Sequence, residues 1–227
     1  MKTSIIAIIA TIGIASSSYA QKLMLGPRAG IDIGTVAWDS TSYGTNKSTI
    51  LGLIGGAQLD VWFSDALALS TGILLDQKGW HEYNMTYPTA TNDLTLNYIE
   101  LPLFLKVGFS TGSFQPYVFA GPSIGYMFWG YTRQHGKNEI AFKIDEVLNK
   151  FDFSIVGGAG LAYNLPSGTQ ISIDGEYAFG LSDILSSDDY YGERQGYFNV
   201  GYWPLNPVGA IKTRDVRIAA GVLFPIN

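Results

Sequence analysis

The chain has 227 residues, with 14 Lys or Arg against 19 Asp or Glu, no Cys, and a formal net charge of −5. The acid excess excludes a nucleic-acid binder that works through bulk charge, and the missing cysteine excludes disulfides, thiol catalysis and thiolate metal sites. Charged residues are only 15% of the chain, beside 14% aromatic residues and 27 glycines, so a wholly water-exposed surface would fall short of the usual charge of about 25%.

Lys2 precedes an almost wholly apolar run from Ile5 to Ile14, followed by Ser16, Ser17, Ser18, Tyr19 and Ala20. A charged start, a short apolar run and a small-residue end are the parts of a secretory signal peptide, and the run is too short to span a bilayer. Residues 1–20 are therefore expected to be removed before Gln21. Residues 21–227, undivided by a linker or charge block, are expected to form one exported domain.

Period-two alternation predicts eight strands, over 22–36, 50–63, 66–78, 95–109, 115–131, 152–164, 169–181 and 213–226. A short amphipathic turn over 144–151 is expected inside a connection. In the first strand Leu25, Ala29, Ile31 and Ile33 share one face, while Arg28 and Asp32 share the other with Gly26, Gly30 and Gly34. The same split sets Asp60 against Leu59 and Val61, Asp76 and Lys78 against Ile73 and Leu75, and Glu100 and Lys106 against Leu101, Leu103 and Leu105. It also sets Asp174 and Glu176 against Ile171 and Ile173, and Arg217 against Val216 and Ile218.

The connections alternate long and short along the chain. The short ones, Ser64-Asp65, Ser110 to Phe114 and Leu165 to Gly168, carry turn chemistry. In an up-and-down antiparallel barrel, alternate connections lie at the same end, so tight turns gather at one rim and long loops at the other, as in transmembrane barrels. A soluble lipocalin-like barrel would invert the faces, with the apolar side as its core. The glycine-rich, nearly charge-balanced polar face favours a crowded lumen, and hence an all-β, eight-stranded transmembrane barrel in the outer membrane of a diderm bacterium.

Aromatic residues crowd the strand ends, as interface belts require. Trp62, Phe63, Phe109, Phe114, Tyr117, Tyr163 and Phe224 are expected near the tight turns. Trp38, Trp80, Tyr83, Phe128, Trp129, Tyr131, Phe179 and Tyr190 are expected toward the long loops.

Three segments carry a family resemblance: Tyr98-Ile99-Glu100-Leu101-Pro102-Leu103-Phe104-Leu105-Lys106, Gln115 to Ser123, and Phe151 to Leu161. With Gly26 to Asp32 at the start, they resemble the PorT-like outer-membrane β-barrel family. The resemblance implies an eight-stranded barrel of the OmpA and OmpX type. It does not carry over the secretion or gliding role of the family's namesake. The end, Phe224-Pro225-Ile226-Asn227, departs from the terminal aromatic residue of many such proteins.

His81 and His135 fall in long connections with no serine, aspartate or second histidine at triad or ligand spacing, and are expected to be solvated. Glu100, Asp174 and Glu176 could form a paired-acid site, but a small barrel fills its lumen with side chains. A buried network of Arg28, Asp32, Asp60, Asp76, Lys78, Glu100, Lys106, Asp174, Glu176 and Arg217 is the expectation. Asp183, Asp188 and Asp189 follow no calcium-loop spacing, and Gly55-Gly56 and Gly157-Gly158 lie within strands rather than at phosphate-binding turns. The expectation is a non-enzymatic envelope protein, without cofactor or metal, with a structural or surface-recognition role. Its expected partners are outer-membrane lipid, periplasmic chaperones and barrel-assembly machinery during biogenesis, and a surface ligand or envelope protein at the long loops. A lipid-modifying enzyme, which would need a serine or acid near His81, is the alternative beside the soluble carrier.

Overall fold

The structure, a computed structural model, describes residues 22–38, 45–84, 91–109, 111–135, 140–143, 148–184 and 210–226. The expected signal peptide, Asp188, Asp189, Tyr190, Asn227, most of connection 182–212 and part of the expected turn at 144–151 lie outside them. The strands are β1 (Lys22–Trp38), β2 (Thr45–Trp62), β3 (Leu67–Asn84), β4 (Thr91–Gly108), β5 (Phe114–His135), β6 (Ile140–Lys143), β7 (Phe151–Asn164), β8 (Gln170–Gly180) and β9 (Ile211–Ile226). Each pairs antiparallel with its neighbours in the order β4-β3-β2-β1-β9-β8-β7-β5, and a β4–β5 ladder closes the ring. Eight strands thus form a closed all-antiparallel barrel, and β6 is an extra, unpredicted strand laid on Tyr131 to Gln134 of β5.

Closure satisfies the backbone within the sheet, which a chain crossing hydrocarbon requires. The apolar faces point outward: Leu51, Leu53, Ile73 and Leu101 are each more than half exposed, and Leu103 is 47% exposed. Water would not tolerate so continuous an apolar wall, and lipid does. The lipocalin-like inversion is thereby excluded, because the polar faces are the ones buried.

The tight turns gather at one rim, where both described chain ends also lie, since Leu23 pairs with Ile226. At the first, the Ser64 hydroxyl accepts from the Ala66 and Leu67 amides. The second and third turn through Gly112 at φ 69° and Gly168 at φ 85°, a left-handed backbone that other residues adopt only under strain. Within the wall, a Cβ on Gly52 would fall 1.7 Å from the Gln77 carbonyl oxygen, so a side chain there would push β2 away from β3.

The aromatic belts are correct in outline and wrong at three residues. Phe109, Phe114, Tyr163 and Phe224 are exposed at the tight-turn end, and Phe128, Trp129 and Phe179 at the other. Trp62, Tyr117 and Trp80 are 6%, 3% and 2% exposed and point into the lumen. Parity decides this, because each alternates with an outward residue of its own strand. The side chains of Trp38 and Tyr83 lie outside the described residues.

Candidate functional site

Inside the barrel, the side chains form layers. At the tight-turn end Met24, Trp62, Ala68 and Leu223 pack into an apolar floor. At the other end Val36, Trp80, Leu94, Leu96 and Met127 belong to a larger apolar plug. Between them lies the polar network, with all ten expected residues buried.

Its lower layer centres on Arg28, whose Nη2 donates to Asp174 Oδ1 at 2.6 Å and Glu176 Oε2 at 3.1 Å. Tyr117 Oη donates to Asp174 Oδ2 at 2.7 Å. Lys106 Nζ donates to Asp60 Oδ2 at 2.7 Å and lies 4.3 Å over the Tyr117 ring. Gln58 and Ser70 also donate to Asp60.

The upper layer centres on Arg217 and Lys78. Arg217 donates from Nε to Asp32 at 2.8 Å, from Nη2 to Asp76 at 2.5 Å, and from Nη1 and Nη2 to Glu100 at 3.1 and 3.0 Å. Lys78 Nζ stands 2.6 Å from Glu100, 3.1 Å from Asp152 and 3.5 Å from Asp215. Glu100 therefore belongs to Arg217 and Lys78, and not to Lys106, although Lys106 is its neighbour in sequence. Asp152 and Asp215 are buried members that the sequence reading omitted. Their parity marks them, since Asp215 shares the Arg217 face, but both sit near strand ends where a lumen position resembles a loop. Glu100, Asp174 and Glu176, weighed as a paired-acid site, are each held by cations: Arg217 beside Glu100, and Arg28 beside Asp174 and Glu176.

A second cluster stands at the long-connection rim, and it corrects the reading of the histidines. His81 and His135 lie in strands rather than loops, because β3, β4 and β5 continue well past the last lipid-facing leucines. Both imidazoles share one carboxylate: His81 Nδ1 is 2.5 Å from Asp93 Oδ1, and His135 Nε2 is 2.8 Å from Asp93 Oδ2. Burial alone would raise the Asp93 carboxyl, but the hydrogen bonds from His81 and His135 outweigh it and hold the group below the usual carboxylate range. Lys47, Arg133 and Lys143 are the described cations on the neighbouring strand positions. The pairing was hidden because the apolar residues beside Asp93, at Leu94, Leu96 and Tyr98, lie on the opposite parity from Ile99, Leu101 and Leu103, so the alternation changes face there and the strand reads as ending.

Among the described residues, no group of His, Cys, Asp and Glu is arranged to hold a metal ion. Asp183 instead accepts the Ile211 amide at 2.9 Å. Gly55-Gly56 and Gly157-Gly158 lie within β2 and β7, as expected of wall positions.

Residues 19–186 match the family model described as an outer membrane protein beta-barrel domain. No curated protein matches the chain. Among solved structures, the chain is similar to Neisserial surface protein A at 12% identity and a TM-score of 0.47, covering 90% of this chain and 97% of that one. It is similar to the Yersinia pestis attachment invasion locus protein Ail, solved with a heparin analogue, at 12% identity and a TM-score of 0.41, covering 89% and 99%. It is also similar to OprG of Pseudomonas aeruginosa at 13% identity and a TM-score of 0.40, covering 91% and 96%.

Proposed function

The chain belongs to the outer membrane protein β-barrel family, and we propose that it is an anchored surface protein whose work is recognition by the strands and loops of its long-connection rim. The supporting observation is strand length. A transmembrane strand needs about 9–11 residues, yet β2, β3 and β4 have 18 each and β5 has 22, while β8 has 11. The excess, roughly 20 Å of strand at 3.3 Å per residue, projects as a sheet from one side of the barrel, with β6 added to it. Apolar layers at both ends of the lumen favour a load-bearing wall over a conduit. The proposal includes a cleaved signal peptide and both termini in the periplasm. The narrower reading, a structural part in envelope or secretion machinery, stands beside it without a motif of its own, since the PorT-like resemblance of Tyr98 to Lys106 implies only the barrel.

The natural chain has no cysteine, so single cysteines report topology cleanly. On intact cells a membrane-impermeant maleimide is expected to label Lys143→Cys on β6 and to reach Ser167→Cys at the tight turn only after the outer membrane is permeabilised. Labelling of Ser167→Cys alone would invert the barrel and refute the surface role.

A further inference from the structure

Above the lipid wall, the outward face of three adjacent strands changes character within one row. Leu75 of β3, Ile99 of β4 and Tyr126 of β5 stand side by side in register, and all three are exposed. The next row is Gln77, Asn97 and Trp129, also in register. Gln77 Nε2 donates to Asn97 Oδ1 at 3.4 Å, and Asn97 Nδ2 donates to the Trp129 carbonyl at 3.3 Å, so the row is one connected amide strip. The outward place of Trp129 is shown by its exposure and not by parity: β5 slips against β4 at Phe128, and Phe128 and Trp129 are 46% and 51% exposed.

Tyr131 comes next along β5, its ring centroid 5.6 Å from that of Trp129. Arg133 follows, exposed and directly opposite Asp93 of β4. Directly opposite residues on antiparallel strands have Cβ atoms about 4.5–5.5 Å apart, close enough for an ion pair, yet none forms. His81 and His135 engage the two oxygens of Asp93 instead, at 2.5 and 2.8 Å. Among the described residues, no carboxylate pairs with the Arg133 guanidinium.

This order fits one class of ligand. An aromatic residue at the membrane interface is ordinary by itself, but here the succession from the membrane outward is apolar wall, amide strip, paired aromatic rings and guanidinium. Sugar rings lay their C–H faces on aromatic rings and offer hydroxyls to amides. A guanidinium takes a phosphate through two parallel hydrogen bonds. From Tyr131 to Arg133 is about 7 Å of strand at 3.3 Å per residue, within reach of a phosphate ester carried on a sugar that covers the Trp129 and Tyr131 rings.

We infer that this outward face seats a phosphorylated glycolipid of the outer leaflet. Its acyl chains lie on Leu75, Ile99 and Tyr126, its sugar on Trp129 and Tyr131 beside the Gln77 and Asn97 amides, and its phosphate on Arg133. His81 and His135 act as positioning residues, because they keep the Asp93 carboxylate engaged and leave the guanidinium to the phosphate. The choice of leaflet rests on the surface orientation proposed above, whereas the chemistry of the site does not.

The test uses the full mature barrel in detergent micelles, titrated with bisphosphorylated lipid A and read by native mass spectrometry. Lipid A is expected to bind at least about tenfold more tightly than its dephosphorylated form or phosphatidylglycerol. Arg133→Gln is expected to weaken lipid A about 10–100-fold and to leave the dephosphorylated form unchanged. Trp129→Ala is expected to weaken both forms about 3–10-fold. Circular dichroism verifies that each variant retains the barrel. Equal binding of lipid A, its dephosphorylated form and phosphatidylglycerol would reduce the face to an ordinary aromatic belt and overturn the site, as would lipid A binding unchanged in Arg133→Gln. Displacement of lipid A by an equal concentration of glucosamine 6-phosphate would overturn the lipid source. Micelles have no sidedness, so these outcomes are separate from the cysteine labelling that scores the surface orientation.

Discussion

Replacing Arg217 with methionine removes a guanidinium that is 1% exposed and donates to Asp32, Asp76 and Glu100. The losses are unequal. Glu100 keeps Lys78 at 2.6 Å, and Asp76 keeps only a distant contact with the same ammonium at 3.9 Å. Asp32 has no other cation among the described residues. Stranding one buried charge costs about 3–5 kcal/mol, so Arg217→Met is expected to destabilise the barrel by at least about 3 kcal/mol. Removing the stranded charge as well, in Asp32→Asn with Arg217→Met, is expected to recover about 1–3 kcal/mol. Urea unfolding in vesicles, followed by the fluorescence of the five tryptophans, measures both. A single variant within about 0.5 kcal/mol of wild type, or a double variant that is merely additive, would refute the lumen network as a source of stability.

Leu103→Arg places a charge on the lipid face and is expected to cost about 2–4 kcal/mol in the same unfolding assay, whereas a water-facing wall would leave it nearly silent. The Asp93 carboxyl is held below its unfolded-state value by the two imidazoles. Its contribution is therefore complete above the unfolded value near 3.9 and is lost as pH falls through the lower folded value. Amide exchange protection over 91–95 and 131–135 should accordingly drop on acidification below about pH 3–4, with no such step in Asp93→Asn.

The membrane wall was legible in the sequence because its rule is local. Lipid outside and a polar lumen inside force alternation at period two, and Leu101, Leu103 and Leu105 against Glu100 and Lys106 display it without any partner strand. The tight turns were legible for the same reason, since Gly112 and Gly168 take a backbone that favours glycine. Partners inside the lumen were not local. Arg217 reaches Asp32 across 185 residues, and only barrel closure, which sets β9 beside β1, decides that Glu100 meets Arg217 and Lys78 while Lys106 meets Asp60. The rim cluster lay furthest from view. Above the bilayer the outward face need not be apolar, and the plug makes the inward face apolar instead, at Trp80, Leu94 and Leu96, so the period-two signal changes face just where β3 and β4 continue. His81, Asp93 and His135 read as loop residues until strand register brought them together.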